Sequence, residues 1–410
     1  MKQISLLGIT IAALMAGSCN NAPKQEKQVE TKPVFAKGSL GYDEQFLRRY
    51  DSDLVRLQSG DAAVLVSPKY QAKVFTSAAA GDDGASFGWI NYKAFDAPVD
   101  QHMNAYGGEN RFWLGPEGGK YSVFFRKGDS MVFAHWKTHP SIDTETWEKT
   151  GQSAASVELS KTIQLTNYTG AQLDMKVNRR ISITDRATAE KELGVSIGDS
   201  IRLVGYQTWQ TLTNTGKGAW NETSGMPCIW ILDMFNPSPA TTIIVPFKPG
   251  KKGKIATTDY FGEIAADRLT ITDSALFFKA DGKSRGKLGI VPERVLPFAG
   301  SYDAAANVLT IAHFTVDNKG RYLNQEWNTV KPVFSGDAMN AYNDGPLADG
   351  SQMGPFYEIE SVSPAAALSP GQSIEHRHDV YHFTGSTEQL NAIAQKLLGV
   401  SLSAIPNHKP

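Results

Sequence analysis

The chain has 410 residues, enough for a large hydrophobic core, and its 41 basic and 42 acidic residues leave a formal net charge of −1. Such a balance provides no basic field, so we do not expect nucleic acid as a partner. Aromatic residues make up 10% of the chain and long helical periodicity is scarce, which favours an all-β fold.

The first nineteen residues read as a targeting segment. Lys2 is followed by a short apolar run, Ile4 to Met15, and by small residues that lead to Cys19. The run is too short to span a membrane as a mature helix. The segment resembles a bacterial lipoprotein signal in which Cys19 is lipidated, and the alternative is an ordinary secretory signal with a chance cysteine. We therefore expect a lipid-anchored protein in the cell envelope of a Gram-negative bacterium, facing the periplasm or the cell surface.

The chain then divides into a tether and one folded domain. Residues 20–40 are polar, with Pro23 and Pro33, and are predicted to be a disordered tether. No linker and no repeat interrupts residues 41–405, which predicts a single domain. Cys228 has no second cysteine in that domain, and its apolar neighbours predict a buried small side chain.

Short strands dominate the predicted elements. Phe46, Leu47, Tyr50 and Leu54 recur at helical spacing and predict a first helix over 41–56. The predicted strands are 62–67, 71–76, 86–92, 121–125, 131–136, 156–166, 175–184, 201–214, 219–235, 240–246, 275–280, 286–291, 308–316, 328–334, 354–362 and 373–383. Helices are predicted over 188–193, capped by Asp185, and over 387–398. The prediction is a large antiparallel β-sandwich with a few short helices.

Residues 104–119 combine glycines with Glu109, Arg111 and Trp113. Glycines allow turns and let a ligand approach the main chain, while a guanidinium and an indole offer planar donors and an apolar face. Two interpretations are open. The stretch either contacts a sugar or forms a glycine-rich corner in which Arg111 pairs with Glu109 or Glu117.

Four motifs resemble those of the galactose mutarotase-like superfamily, the aldose 1-epimerases and their relatives. In chain order they are Gly108-Glu-Asn-Arg-Phe-Trp, Leu212-Thr-Asn-Thr-Gly, Tyr357-Glu-Ile-Glu-Ser and Leu368-Ser-Pro-Gly-Gln-Ser. The resemblance implies the supersandwich fold, Arg111 as a sugar contact and Glu360 as the general base.

The chain also departs from this pattern. The family's acid histidine, which follows the Thr-Asn element, has no counterpart after Asn214, and the second family histidine has His135 or His139 as candidates. The fold therefore carries over more firmly than the activity.

Two carboxylates could supply acid/base chemistry. Glu358 and Glu360 lie two apart in a predicted strand and so share a face, where one of them can stay protonated. The alternative is that both face solvent on an edge strand. His135 and His313 are candidate acids, although the apolar neighbours of His313 are equally typical of a core histidine.

Further residues are candidates for ligand contact. Four tryptophans could stack on a sugar ring: Trp113, Trp220, Trp230 and Trp327. Glu326 is the polar neighbour of Trp327. The alternative for each tryptophan is a place in the core.

His376 and His378 share a strand face with His382 and could ligate a metal ion. Without a clear fourth ligand we favour hydrogen-bonded histidines, and we expect no cofactor.

The sequence thus predicts an envelope protein that handles a sugar or oligosaccharide and contacts the membrane through its lipid. One hypothesis is an acid/base enzyme acting at an anomeric or neighbouring carbon. The second is a non-catalytic glycan-binding lipoprotein that has lost the acid histidine. The third is a structural envelope protein without a small-molecule site.

Overall fold

The computed structural model describes residues 34–406, so the predicted signal segment, Cys19 and most of the predicted tether lie outside the described residues. The strands in this part are β1 Val55–Ser59, β2 Ala62–Ser67, β3 Lys73–Ala78, β4 Arg111–Gly115, β5 Glu148–Gln152, β6 Ser156–Thr166, β7 Gln172–Thr184, β8 Arg202–Asn214, β9 Cys228–Phe235, β10 Thr241–Pro246, β11 Leu269–Ile271, β12 Ala275–Lys279, β13 Gly286–Ile290, β14 Phe298–Asp303, β15 Val308–Phe314, β16 Met339–Asn343, β17 Tyr357–Val362 and β18 Ser373–Thr384. The α-helices are α1 Leu40–Leu47, α2 Arg186–Leu193 and α3 Thr387–Leu398, and short 3-10 helices span Tyr92–Phe95, Phe133–His135, Pro140–Ile142 and Leu402–Ala404.

Antiparallel pairing organises these strands into three sheets. A ten-stranded sheet has the order β11-β12-β10-β14-β15-β18-β8-β7-β6-β5, a five-stranded sheet has the order β13-β16-β17-β9-β4, and β1-β2-β3 form a small third sheet. Because the described strands pair antiparallel and the helices are short, the predicted all-β fold is confirmed.

The five-stranded sheet stacks on the ten-stranded sheet through one of its two faces. Side chains alternate along a strand, so in β9 Ile231 and Asp233 point to one side and Trp230 and Leu232 to the other. The Asp233 side reaches the ten-stranded sheet, because its carboxylate lies 2.7 Å from His378 of β18. The opposite face of the five-stranded sheet is left to form a site.

Helices cover parts of the other surfaces. Leu390, Ile393 and Ala394 of α3 pack with Phe277 and Ile311 on the outer face of the ten-stranded sheet. In the third sheet Leu65 and Phe75 lie under α1. Within residues 34–406 none of the helices has the length and apolar character needed to cross a membrane.

Several predicted elements differ from the structure. The first helix ends at Leu47, because Asp51 accepts hydrogen bonds from Ser67 and from the Asp53 amide and so fixes a turn before β1. Leu40 is fully buried, so the folded part begins before residue 41. Strands are absent from 86–92, 121–125, 131–136 and 328–334.

Buried aromatic side chains explain the misread stretch at 121–125. Phe124 and Phe125 belong to the core, but the neighbouring amides of Ser122 and Val123 donate to Gly119 and Pro116 in a turn rather than to a sheet. Conversely, the glycine-rich stretch contains strand β4, since Phe112 and Leu114 face the core.

Candidate functional site

A cleft of about 330 Å³ lies on the face of the five-stranded sheet that points away from the ten-stranded sheet. Its floor follows the strand register: Arg111 of β4 lies opposite Leu232 of β9, which lies opposite Glu360 of β17. In the neighbouring cross-strand row Lys287 of β13 lies opposite Tyr342 of β16, which lies opposite Glu358 of β17. A volume of this size is within the range of small-molecule sites.

Tryptophan side chains form the walls of the cleft. The rings of Trp113 and Trp230 meet edge to face with centroids 5.5 Å apart, on neighbouring strands. Trp136 and Trp327 come from loops and stack with centroids 6.1 Å apart. All four line the cleft, which therefore offers several flat apolar faces beside its charges.

The rim of the cleft is apolar and exposed. Phe133, Phe261 and Met353 line the opening with 62%, 45% and 43% of their residue surface accessible. Large apolar residues left in contact with water and gathered at one opening are typical of a ligand site.

Two hydrogen-bonded pairs of a basic side chain and a carboxyl group occupy the floor. Arg111 Nη2 donates to Glu358 Oε1 at 2.5 Å, and Lys287 Nζ donates to Glu360 Oε2 at 2.9 Å. Glu360 Oε2 also accepts a hydrogen bond from Trp230 Nε1 at 2.9 Å, while Oε1 is buried without a protein partner. Glu358 lines the cleft, whereas Glu360 lies beneath Lys287 and Trp230 with no exposed surface.

Burial shifts the protonation of these groups. Burial raises the pKa of Glu358 and the charge of Glu360 raises it further, which together outweigh the opposing effect of Arg111. Burial also raises the pKa of Glu117, which lines the cleft. For Lys287, burial lowers the pKa, but the carboxylates of Glu360 and Glu117 outweigh it and the pKa is raised. The cleft therefore holds a firmly charged lysine beside carboxyl groups that resist ionisation.

Some residues predicted from the sequence come together here. Arg111, Trp113 and Glu358 line the cleft, as do Trp230 and Trp327, and Glu360 lies under the floor. The distant segments at 111 and 358–360 thus meet on one sheet face. The Arg111 partner is Glu358, and neither Glu109 nor Glu117 fills that position. Their functional roles remain predictions.

The structure does not bring the two candidate acid histidines into the cleft. The exposed ring of His135 has its Nδ1 2.9 Å from the carbonyl oxygen of Ser130. His313 belongs to β15 of the ten-stranded sheet, with Nδ1 3.4 Å from Asp379, on the face turned away from the five-stranded sheet. In the described part of the chain the histidine that lines the cleft is His102, at the 100–105 side.

Three other predicted contact residues also lie elsewhere. Glu109 is fully buried between the sheets, where it accepts from Ser77 at 2.7 Å and lies 3.0 Å from His382. Trp220 is a core residue. Glu326 forms an ion pair with Lys331 at 2.6 Å, and its side chain does not line the cleft, although the next residue, Trp327, does.

His376 and His378 form hydrogen bonds between the two sheets. Both rings lie within 2.8 Å of Ser361 Oγ, and the second nitrogen of His378 faces Asp233. Burial lowers the pKa of His376 to about 3, which keeps that ring neutral. Within residues 34–406 no group of three His, Cys, Asp or Glu side chains is placed to hold a metal ion.

Lys287 and Trp136 were not predicted as site residues, and Glu117 was predicted only as a possible partner of Arg111. For Lys287 a local signal exists, because it is the one charged residue inside the apolar strand β13. Trp136 lies in a stretch that was predicted to be a strand but forms a loop. Strand alternation therefore could not indicate that its side chain lines the cleft.

Three solved structures are similar to the chain over most of their own length. A protein of Synechocystis sp. PCC 6803 is 11% identical with a TM-score of 0.48, over 81% of this chain and 96% of that one. A galactose mutarotase-like protein from Lactobacillus casei ATCC 334 is 10% identical with a TM-score of 0.43, over 80% and 99%. A galactose mutarotase related enzyme from Lactobacillus acidophilus is 7% identical with a TM-score of 0.44, over 81% and 98%.

No curated protein matches the chain in sequence. A family model matches residues 38–409, nearly the whole of the folded part, and the chain therefore belongs to the family of unknown function DUF6786.

Proposed function

We propose that the protein handles carbohydrate and that its cleft binds a saccharide ring. The observation that carries this proposal is the convergence of four tryptophans and two buried pairs of a basic side chain and a carboxyl group on one cleft of about 330 Å³. Pyranose rings have apolar C–H faces that stack on indoles and hydroxyl groups that bond to carboxylates and guanidinium groups. Arg111 and Glu358 are the polar pair placed to orient such a ring.

The same geometry supports proton transfer at the bound sugar. Glu358 lines the cleft and its raised pKa leaves a proton on the carboxyl group near neutral pH, as a general acid requires. In an epimerase-like reaction this proton passes to the ring oxygen while a base removes the proton of the anomeric hydroxyl, and the ring opens. Glu117 is the second carboxyl group in the cleft, and in its ionised form, which the charge of Lys287 favours against burial, it is the candidate for that base. Glu360, buried below Lys287, acts on Glu358 through its charge rather than by touching the sugar.

Binding and turnover can be tested separately. We expect saturation-transfer NMR to show binding of an aldose or oligosaccharide to the purified chain, and polarimetry to show faster mutarotation of the freshly dissolved sugar. Phe133→Ala should weaken binding, because the exposed ring lines the opening and offers an apolar face to the ligand. Glu358→Gln should abolish the acceleration while retaining binding, since the amide preserves the shape and a donor to the sugar. Absence of binding across a broad panel of sugars contradicts the proposal.

A non-catalytic glycan-binding protein is the second candidate, favoured by the Thr-Asn element. Asn214 donates to the carbonyl groups of Gly218 and Leu368, both at 2.9 Å, so this element closes a turn and brings no acid to the cleft. Measurable binding with an unchanged mutarotation rate supports this candidate over the enzyme.

We also propose that the protein is an envelope lipoprotein anchored through Cys19. The support is the short apolar run and the small residues before Cys19. Labelling of cells with a clickable fatty acid should mark the wild-type protein, and Cys19→Ala should lose both the label and recovery in the membrane fraction. A labelled Cys19→Ala protein contradicts the assignment.

A further inference from the structure

One tryptophan lies outside the cleft and faces solvent. Trp209 of β8 has 42% of its surface accessible, and among residues 34–406 the other tryptophans are buried or half-buried. It lies on the outer face of the ten-stranded sheet, because its neighbours Thr208 and Gln210 are fully buried on the inner face. This is the surface opposite to the stacked sheets, so Trp209 and the cleft lie on opposite sides of the sandwich.

Polar side chains surround the exposed ring in strand register. Arg180 of β7 and Arg377 of β18 are the cross-strand neighbours of Trp209 on either side. The Arg377 guanidinium lies 6.0 Å from the ring centroid and is fixed by ion pairs to Glu192 and Asp379. Arg180 makes no ion pair within the described part of the chain, so its donors are free to meet a ligand.

A hollow of about 300 Å³ adjoins the ring and is lined by Arg180, Ser182, Gln207 and Trp209. Gln207 is held by Glu192, to which its amide nitrogen donates at 2.5 Å. The hollow therefore combines one flat aromatic face with amide, hydroxyl and guanidinium groups. This is the combination that stacks a sugar ring and bonds to its hydroxyl groups.

We propose that this Trp209 surface, defined by Arg180, Ser182, Gln207, Trp209 and Arg377, is a second saccharide site that holds a polysaccharide chain. A single stacked ring gives a weak contact, so a free monosaccharide would scarcely occupy it, whereas a polymer presents many rings at high local concentration. Because the cleft faces the other way, the two sites engage different segments. The Trp209 surface keeps the protein on the polymer while the cleft meets a separate sugar unit.

Affinity electrophoresis of the full chain tests this site directly. Gels are cast with soluble β-glucan, xylan or polygalacturonate, which separates neutral from acidic polymers. We expect at least one polymer to retard the wild-type chain, and Trp209→Ala to weaken retention about tenfold, the effect of losing some tens of Å² of apolar contact. Trp209→Phe keeps a ring and should retain part of the binding. Ile271→Ala, an exposed apolar residue at the far edge of the same sheet, is the matched control.

The contribution of Trp209 can be separated from that of the cleft. Phe133→Ala changes the cleft opening but should leave the loss of retention caused by Trp209→Ala unchanged, so failure of sugar binding in the cleft and failure of the Trp209 surface are distinguishable. Unretarded wild-type chain in all three gels overturns the second site. Equal retention of wild type and Trp209→Ala, with circular dichroism showing both folded, overturns it as well.

Discussion

Replacing Lys287 by methionine should destabilise the protein in a pH-dependent way. Lys287 and Glu360 are 11% and 0% exposed, and Lys287 is the only cation within ion-pair distance of Glu360 in the described residues. Methionine retains the packing of the stem against Trp230 but leaves a buried carboxylate with a single donor, the indole nitrogen of Trp230. Removing one partner of a buried pair costs roughly 3–5 kcal/mol.

Protonation of Glu360 limits that cost and determines its pH dependence. Protonating an ordinary glutamic acid costs about 3.7 kcal/mol at about pH 7 and about 1 kcal/mol at about pH 5, so the neutral form relieves the buried charge more cheaply at the lower pH. In the variant the folded state binds a proton that the unfolded state releases, so stability falls as the pH rises above the unfolded pKa. We therefore expect Lys287→Met to lower the free energy of unfolding by about 3 kcal/mol near pH 7 and by about 1 kcal/mol or less near pH 5.

Urea unfolding followed by tryptophan fluorescence at both pH values measures this loss. The double variant Lys287→Met, Glu360→Gln should recover most of it, because the buried charge is gone. Lys283→Met, a change at an exposed lysine just before β13, is the matched control. A Lys287→Met protein as stable as the wild type near pH 7, or an equal loss at both pH values, refutes the reasoning.

Two further predictions concern the cleft. Because the pKa of Glu358 is raised, the folded chain holds a proton that the unfolded chain has lost, and stability falls as the pH rises above the usual glutamate pKa. Glu358→Gln should flatten this fall in thermal melts between about pH 5 and pH 8. An unchanged slope contradicts the raised pKa. Gly118→Ala should lower the free energy of unfolding in urea by about 1–3 kcal/mol, because the added Cβ would clash with the carbonyl group of Glu326 and displace Trp327. A variant as stable as the wild type would show that the loop can move to accommodate the methyl group.

Part of the site follows from local sequence. Strand alternation places Glu358 and Glu360 on one face whatever the tertiary structure, and the Arg111 and Trp113 pair obeys the same rule in β4. Alternation does not extend beyond the strand itself. The consecutive residues Glu109 and Asn110, just before β4, both point between the sheets, where they meet His382 and Asp233, so Glu109 does not share the face of Arg111.

Long-range pairing decided the rest. Lys287 of β13 reaches Glu360 of β17 across β16. Glu360 and Arg111 lie in one cross-strand row only because β9 pairs with both β17 and β4. No pattern within a few residues encodes such an order, since each strand could pair with many others. The same limit applies to His313, whose apolar neighbours fit a site or a core equally well.

The sequence by itself determined the class of fold, because period-two alternation and frequent turns are local consequences of side-chain chemistry, as in β6 and β18. It also determined which charged and aromatic groups the protein has to place. The tertiary structure alone decided that Arg111, Lys287, Glu358 and Trp327 share one cleft while Trp209 faces the other way. The physical reason is that burial and electrostatic pairing depend on which sheet faces stack, and stacking is a property of the whole chain.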